Sequence, residues 1–404
     1  MHDAFKSLAR ISALGGLLLA TAPAWSQARD KYDLGLGFLG SAAVEASVAQ
    51  ANNYFYEPRD GVSATGYRLR PSVAVTRSSS AGRFTLDADL EQANYDLPGD
   101  LDHYLDYGVS ANYVWQPLVR HRFDLGGAFR HGHDPIGLQR TEGNPDFTKG
   151  EIDRWDLSDA SLGYRYGASD SLGSNTITIG QTERRYTSNR DQTVFLDYTS
   201  KVISYELAYE YSPKTALIFS AAQRATDYVR PVLSSLGNRN GNELTVRVGL
   251  RWIATGKTSG ELQVGVRDYS VDGRQRPARQ AFAWKANIAW VPKPITEVRL
   301  IAGQTTSETF RVDTFFIDER SVGLNWQQTW SARFTTNAGA RYSRSEFVGA
   351  NRTDKFIRAE VGFDYLLARK MSVFGQYFSR NRESNLPSRE YDAPEAKLGV
   401  RLTL

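Results

Sequence analysis

From about residue 40 onward, apolar and polar residues alternate with a period of two. Leu244, Val246, Val248, Leu250 and Trp252 interleave with Glu243, Thr245, Arg247, Gly249 and Arg251. Phe282, Trp284, Ala286, Ile288 and Trp290 interleave with Ala283, Lys285, Asn287 and Ala289, and Ile357 to Tyr365 repeats the pattern. Such alternation puts one face of an extended strand in an apolar medium and the other in water. It predicts strands near 42–55, 65–77, 83–96, 102–115, 121–130, 153–166, 175–187, 200–211, 215–228, 241–253, 260–270, 281–290, 296–306, 317–327, 333–347, 354–366, 371–381 and 393–404. The expected fold class is therefore all-β, a transmembrane antiparallel β-barrel of about 18 strands with 16 as the alternative count.

The connections support that reading. Short ones fall at 78–82, 116–120, 212–214, 291–295, 328–332 and 367–370, and longer polar ones at 131–152, 188–199, 229–240, 271–280 and 382–392. Short turns on one side and long loops on the other are the asymmetry of an outer-membrane barrel. Trp115, Trp252, Trp290, Trp326 and Trp330 all fall at short-turn ends, where indole rings would form a periplasmic girdle. Tyr67, Tyr95, Tyr104, Tyr186, Tyr228 and Tyr269 fall at the opposite ends and predict a second girdle. A soluble β-sandwich or solenoid would leave that many aromatics in water. The final strand alternates Leu398, Val400, Leu402 and Leu404 with Lys397, Gly399, Arg401 and Thr403.

Residues 1–28 read as a secretory signal peptide. Lys6 and Arg10 precede the apolar run 11–20, and small residues at Ala22, Ala24, Ser26 and Ala28 allow cleavage after Ala24 or Ala28. Residues 29–41 would be a periplasmic approach and 42–404 a single barrel. Of the 404 residues, 41% are hydrophobic and 12% aromatic, too many for a disordered chain. After the leader, no run supplies the roughly 20 consecutive apolar residues of a membrane helix. The absence of cysteine excludes disulfides, thiolate metal sites and a cysteine nucleophile. A formal net charge of only +4 gives no argument for nucleic acid.

Eighteen strands make a barrel wide enough for a water-filled channel. Alternation assigns Arg68, Arg70, Arg130, Arg224, Arg247, Arg251, Arg267, Arg299, Arg341 and Arg358 to the lumen, with Asp87, Asp89, Glu206 and Glu360 on the same face. Arginine keeps its charge and offers a planar fork suited to carboxylates, phosphates and vicinal hydroxyls. The same residues could instead form arginine–carboxylate ladders that only stiffen a wetted wall.

Catalytic constellations are poor. His131-Gly132-His133-Asp134 is the only histidine cluster, and two imidazoles alone do not complete a zinc or copper site. Asp102 and His103 are adjacent in a strand and so point to opposite faces. No nucleophile elbow or nucleotide fingerprint stands in strand–helix context. Neither catalytic residues, a metal nor a cofactor are expected. Arg274, Arg276 and Arg279 in the loop 271–280 suggest contact with lipopolysaccharide phosphates or an anionic polymer. The longest loop, 131–152, is the segment expected to plug the lumen if any does.

Several N-terminal motifs add a resemblance. Asn52-Asn53-Tyr54-Phe55 at the close of the first strand, Tyr67-Arg68-Leu69-Arg70-Pro71-Ser72-Val73 opening the second, Tyr95-Asp96, Asp102-His103-Tyr104 and the run Arg130 to Gly137 resemble the putative beta-barrel porin family found with exopolysaccharide and capsule gene clusters. That resemblance implies a non-enzymatic outer-membrane pore passing a secreted polysaccharide, with no site residue to transfer. A diffusion or anion-selective porin for small hydrophilic solutes, and a structural or plugged barrel, stand beside it. The partners expected are outer-membrane lipid and lipopolysaccharide, the barrel-assembly machinery, and a polysaccharide with its periplasmic export machinery.

Overall fold

The computed structural model describes residues 32–97, 101, 103–143, 151–168, 171–233, 237–272 and 279–404. The expected leader, Asp102, Arg274 and Arg276 lie outside these. Eighteen long strands make the wall. In chain order they are β1 Phe38–Ala51, β2 Ala64–Ser79, β3 Gly82–Tyr95, β4 His103–Leu118, β5 His121–His133, β6 Arg154–Tyr166, β7 Gly173–Tyr186, β8 Tyr198–Ser212 and β9 Thr215–Tyr228. They continue as β10 Gly241–Thr255, β11 Thr258–Val271, β12 Arg279–Lys293, β13 Thr296–Ser307, β14 Phe316–Thr329, β15 Phe334–Val348, β16 Arg352–Ala368, β17 Met371–Ser384 and β18 Glu395–Thr403.

Each strand pairs antiparallel with the next, and β18 pairs with β1 from Ala43–Thr403 to Ala51–Glu395, which closes the sheet. Closure removes both free edges, the condition for a sheet to sit in hydrocarbon. Tyr32–Gly35 folds back on β1 as a short hairpin. The first strand begins at Phe38 and ends at Ala51, four residues ahead of its expected limits at both ends. Asn53 explains the early end. Its side-chain oxygen accepts the Glu57 N–H at 2.9 Å, and its Nδ2 donates to the carbonyls of Glu57 and Asp392. Asn52 to Phe55 therefore turn into the lumen mouth rather than continue the ladder.

The connections at 80–81, 119–120, 213–214, 256–257, 294–295 and 369–370 are two residues long. Those at the other end run to twenty residues at 134–153, with 349–351 the one short exception. Pro71 sits inside β2, and the ladder to β3 steps from Leu69–Gln92 to Ser72–Asp89 around it. That break is what a residue without an N–H imposes.

The outer face is apolar. Leu244, Val248, Leu250, Val264, Val266, Leu324, Ile357 and Val361 are all exposed there. A soluble protein does not present such a belt of aliphatic side chains around its whole girth, whereas hydrocarbon requires one.

Candidate functional site: the lumen wall and its closures

The strand registers put all fourteen lumen candidates on the inner face, in three different situations. Some pair with acids. Arg70 meets Asp89 at 2.9 Å, Arg68 meets Glu395 at 2.7 Å, and Arg251 meets Glu206 at 3.0 Å and Glu261 at 2.7 Å. Arg299 pairs with Glu297. Asp87, Arg130 and Glu360 share the same inner face, Glu360 opposite Gly339. Others are sealed from solvent. Arg267 is buried with Asp318, and the Nε of Arg247 is buried without a hydrogen-bond partner among the described residues.

A third set is open to the lumen. Arg341 on β15, Arg358 on β16 and Arg380 on β17 stand directly opposite one another across two strand pairs. Arg341 bonds Glu319 at 3.2 Å and Ser321 at 2.9 Å, yet its side chain stays 51% exposed. Arg380 bonds the Tyr56 hydroxyl at 2.9 Å and stands 3.8 Å from the Glu395 carboxylate. Arg358, between them, has no ion pair or hydrogen bond among the described residues, and its guanidinium lies 5.9 Å from the Phe356 ring. Like charges directly opposite in a sheet destabilise it, and of the three only Arg358 has no acid beside it among the described residues. Sequence reading missed Arg380. Phe374 and Phe378 share its inner face, and polar residues occupy both faces from Ser379 to Glu383, so the alternation that marks a lumen face is lost there.

The tryptophan row lies on the outer face at the short-turn ends: Trp115, Trp252, Trp290 and Trp326 near strand ends and Trp330 in a turn. The upper tyrosine girdle needs correction. Tyr67 faces outward, 66% exposed, but Tyr95, Tyr104, Tyr186, Tyr228 and Tyr269 are buried. They point inward because they keep step with lumen residues on their own strands: Tyr95 with Glu91 and Ala93, Tyr269 with Arg267. Inside, they pack the loops that fill the mouth.

Two structures narrow that mouth. The first is the upper part of the β13–β14 hairpin. β12 and β13 pair only from Lys285–Gly303 downward, whereas β13 and β14 pair throughout. Above the split the hairpin bends into the barrel, so its nominally outer residues meet the inner face of β9–β11. Arg267 donates to Asp318 at 2.8 Å and to Thr306 at 2.5 Å, and Gln304 donates to both Asp318 oxygens. Phe316 lies 3.9 Å from Tyr269, ring centre to ring centre, and Glu308 accepts from Thr226 at 3.1 Å and from the Tyr228 hydroxyl. Arg279, expected in the loop 271–280, instead opens β12 and bonds Glu346 at 3.0 Å.

The second is the connection 134–153, of which 144–150 lie outside the described residues. Ile136 and Ile152 pack with Phe55, Tyr95, Leu97 and Tyr104. Gly137 adopts φ +81° with its α-carbon against the Phe55 carbonyl, where a Cβ would stand 1.6 Å from that oxygen. Glu142 then reaches β16 and β17, taking both Arg352 Nη groups at 2.7 Å and pairing with Arg382, all three almost fully buried. Burial alone would push the Glu142 carboxyl up. The hydrogen bonds from Arg352 and the charges of Arg382, Arg352 and Arg389 outweigh it and hold the group below the usual carboxylate range. The loop thus crosses the mouth from β5 to β16–β17.

The histidine cluster does not converge. His131 bonds Asp156 at 2.6 Å and His133 bonds Asp106 at 2.9 Å, so each imidazole has its own carboxylate. Among the described residues no group of three or more potential ligands gathers.

A family model described as putative beta-barrel porin 2 matches residues 177–404, more than half of the chain. The chain belongs to that family. The matched stretch covers β8–β18 and most of β7, and not the N-terminal motifs from Asn52 to Gly137. No curated protein matches this porin-family chain. Among solved structures it is similar to OccAB3 of Acinetobacter baumannii, at 8% identity over 90% of this chain and 99% of that one, with a TM-score of 0.46. A BenF-like porin from Pseudomonas fluorescens shares 11% identity over 90% and 99% of the two chains, TM-score 0.47. The FrpB iron transporter of Neisseria meningitidis shares 10% over 90% and 81%, TM-score 0.46. Likeness at that level carries no information on cargo.

Proposed function

We propose that this porin-family barrel is an outer-membrane channel for small hydrophilic solutes with a preference for anions. The observation that carries the reading is the row Arg341, Arg358 and Arg380, three guanidinium groups in direct register on the wetted wall with Arg358 unpartnered among the described residues. A carboxylate or phosphate passing that arc relieves the mutual repulsion of the row and takes bidentate hydrogen bonds. The tryptophan row, the apolar belt and the placement of the start of β1 and the end of β18 on the short-turn side support a bacterial outer membrane with long loops outermost.

The polysaccharide cargo rests on the resemblance alone, and no feature of the wall speaks for it. A polymer in transit needs the segments docked in the mouth to move aside, which a small solute requires to a lesser extent. The reading assigns no catalytic step, and it makes the barrel-assembly machinery and outer-leaflet lipid the partners of the folded chain.

Reversal potentials of the reconstituted full chain across a salt gradient test the proposal. Anion selectivity that weakens in Arg358→Gln and inverts in Arg358→Glu is expected. Selectivity identical in all three proteins refutes it. Surface polysaccharide in a deletion strain tests the cargo separately.

A further inference from the structure

Between β12 and β13 the wall is not zipped to its full height. β12 pairs with β11 from Thr258–Trp290 up to Tyr269–Arg279, but with β13 only up to Lys285–Gly303. Above that level, 279–284 of β12 have a ladder partner on one side alone among the described residues. The same holds for 304–307 of β13, which pair with β14 from Gln304–Arg320 to Ser307–Ile317. Phe282, 60% exposed beside Val266, places the open edge of β12 within the apolar belt. Hydrocarbon offers an open strand edge no water to bond, which is the cost that closing a barrel removes.

The two open edges fit each other. Neither 279–284 nor 304–307 contains a proline or a glycine. Extending the register past Lys285–Gly303 sets Trp284 against Gln304, Ala283 against Thr305, Phe282 against Thr306 and Ala281 against Ser307, with matching parity on both strands. The charges at the split have alternatives as well. In the inturned position Arg267 holds Asp318 at 2.8 Å and Arg279 holds Glu346 at 3.0 Å. Two residues away on the same strands, Arg320 and Arg344 are exposed and have no ion pair among the described residues. Acid and base at that spacing do pair elsewhere in this wall, Arg122 with Asp124 at 2.7 Å and Arg185 with Glu183 at 2.7 Å. A hairpin lifted off Arg267 and Arg279 thus finds a replacement cation for each acid on β14 and β15.

We infer that the upper β13–β14 hairpin has a second seat, in which β13 zips onto the open edge of β12 and the mouth widens. In that seat Thr306, Glu308 and Phe316 leave Arg267, Tyr228 and Tyr269, and Arg267 and Arg279 turn to lumen water. The inturned seat gains the buried ion pair and leaves two strand edges open; the zipped seat closes the ladder and moves the acids beside Arg320 and Arg344. The exchange is independent of which solute passes and of the anion preference proposed above.

The test uses the full chain folded in lipid vesicles with Ala283→Cys/Thr305→Cys, in a sequence with no other cysteine, and copper–phenanthroline as oxidant. In the zipped ladder these positions stand opposite each other, with Cα atoms about 4.5–5.5 Å apart and within reach of a disulfide. Phe282→Cys/Thr305→Cys is the control, because zipping puts its thiols on opposite faces of the sheet. The first pair is expected to cross-link and the control not, and the oxidised barrel to conduct more until it is reduced. Asp318→Ala should speed cross-linking at least about tenfold by freeing the buried end of the hairpin. Arg320→Gln/Arg344→Gln should slow it about fivefold, as loss of two exposed ion pairs predicts. Ala281→Cys/Ser307→Cys, one inward step higher, repeats the measurement if the first pair is not heat-modifiable on a gel. No cross-link in either pair, equal cross-linking of the control, or a disulfide that leaves a conducting barrel unchanged each overturns the inference. Cross-linking is read on the gel, so zipping in a barrel without anion selectivity refutes the channel reading alone. A selective channel that never cross-links does the reverse.

Discussion

Asp318 offers the sharpest handle on the inturned hairpin. Its carboxylate accepts Arg267 at 2.8 Å and Gln304 at 2.9 and 3.0 Å, with Arg279 at 3.9 Å, and the Arg267 and Asp318 side chains are 3% and 1% exposed. Asp318→Ala leaves the Arg267 guanidinium buried with Thr306 as its remaining close partner. Removing one member of a buried ion pair costs about 3–5 kcal/mol, because the other charge is left uncompensated. The hairpin is not held to β12 above Gly303, so this loss falls on the docked position rather than on the barrel as a whole. At about 1.4 kcal/mol per tenfold, the undocked population rises by roughly two to three and a half powers of ten.

The chain has no cysteine, so a single Thr309→Cys, at a buried site on the hairpin tip, reports undocking through its rate of thiol labelling without background. Asp318→Ala in that background should label at least a hundredfold faster and show larger single-channel conductance. Arg267→Met/Asp318→Leu should return both values towards the parent, because apolar residues of similar volume replace a buried pair at little loss. If Asp318→Ala folds as a heat-modifiable barrel with unchanged labelling and conductance, the hairpin does not govern the mouth and the reasoning fails.

The loop 134–153 should answer to pH. Glu142 sits below its usual carboxylate range when docked, so its contribution is complete above the undocked value of about 4.5 and is lost as the pH falls through the lower docked value. Conductance should therefore be constant near neutrality and increase below about pH 4.5, a step that Glu142→Gln abolishes, with the raised conductance present already at neutral pH, because Arg382 loses its carboxylate and Arg352 keeps only Asp354. Gly137→Ala, which sets a Cβ against the Phe55 carbonyl at φ +81°, should unseat the same loop, measured as faster proteolysis there with the barrel intact. In the lumen, Arg358→Glu replaces attraction by repulsion. With a unit charge at about 4 Å worth about 1 kcal/mol in water, the anion preference should fall by roughly 30-fold at that arc and invert in the reversal potential. Trp290→Ala should lower the heat-modifiability midpoint modestly and leave selectivity unchanged, since it faces lipid.

What the chain alone determined follows from a two-residue repeat. Once one parity of 244–252 and 357–365 is apolar, hydrocarbon must lie on that side, and strand count, the inner arginines other than Arg380 and the position of the tryptophans follow from spacing alone. Parity also marks Tyr95 and Tyr269 as inward, beside Glu91 and Arg267, although their position at strand ends points to a girdle. The mouth was not legible in this way. The split between β12 and β13 depends on whether Gln304 and Thr306 find better partners behind β11 than on the outer face, and those partners lie tens of residues away. Glu142 meets Arg352 across 210 positions. The row Arg341–Arg358–Arg380 exists only once the register of three neighbouring strands is set. A local pattern specifies which face a side chain takes. Which charges then stand side by side is a property of closure, because only the closed sheet sets every strand's register against its neighbours.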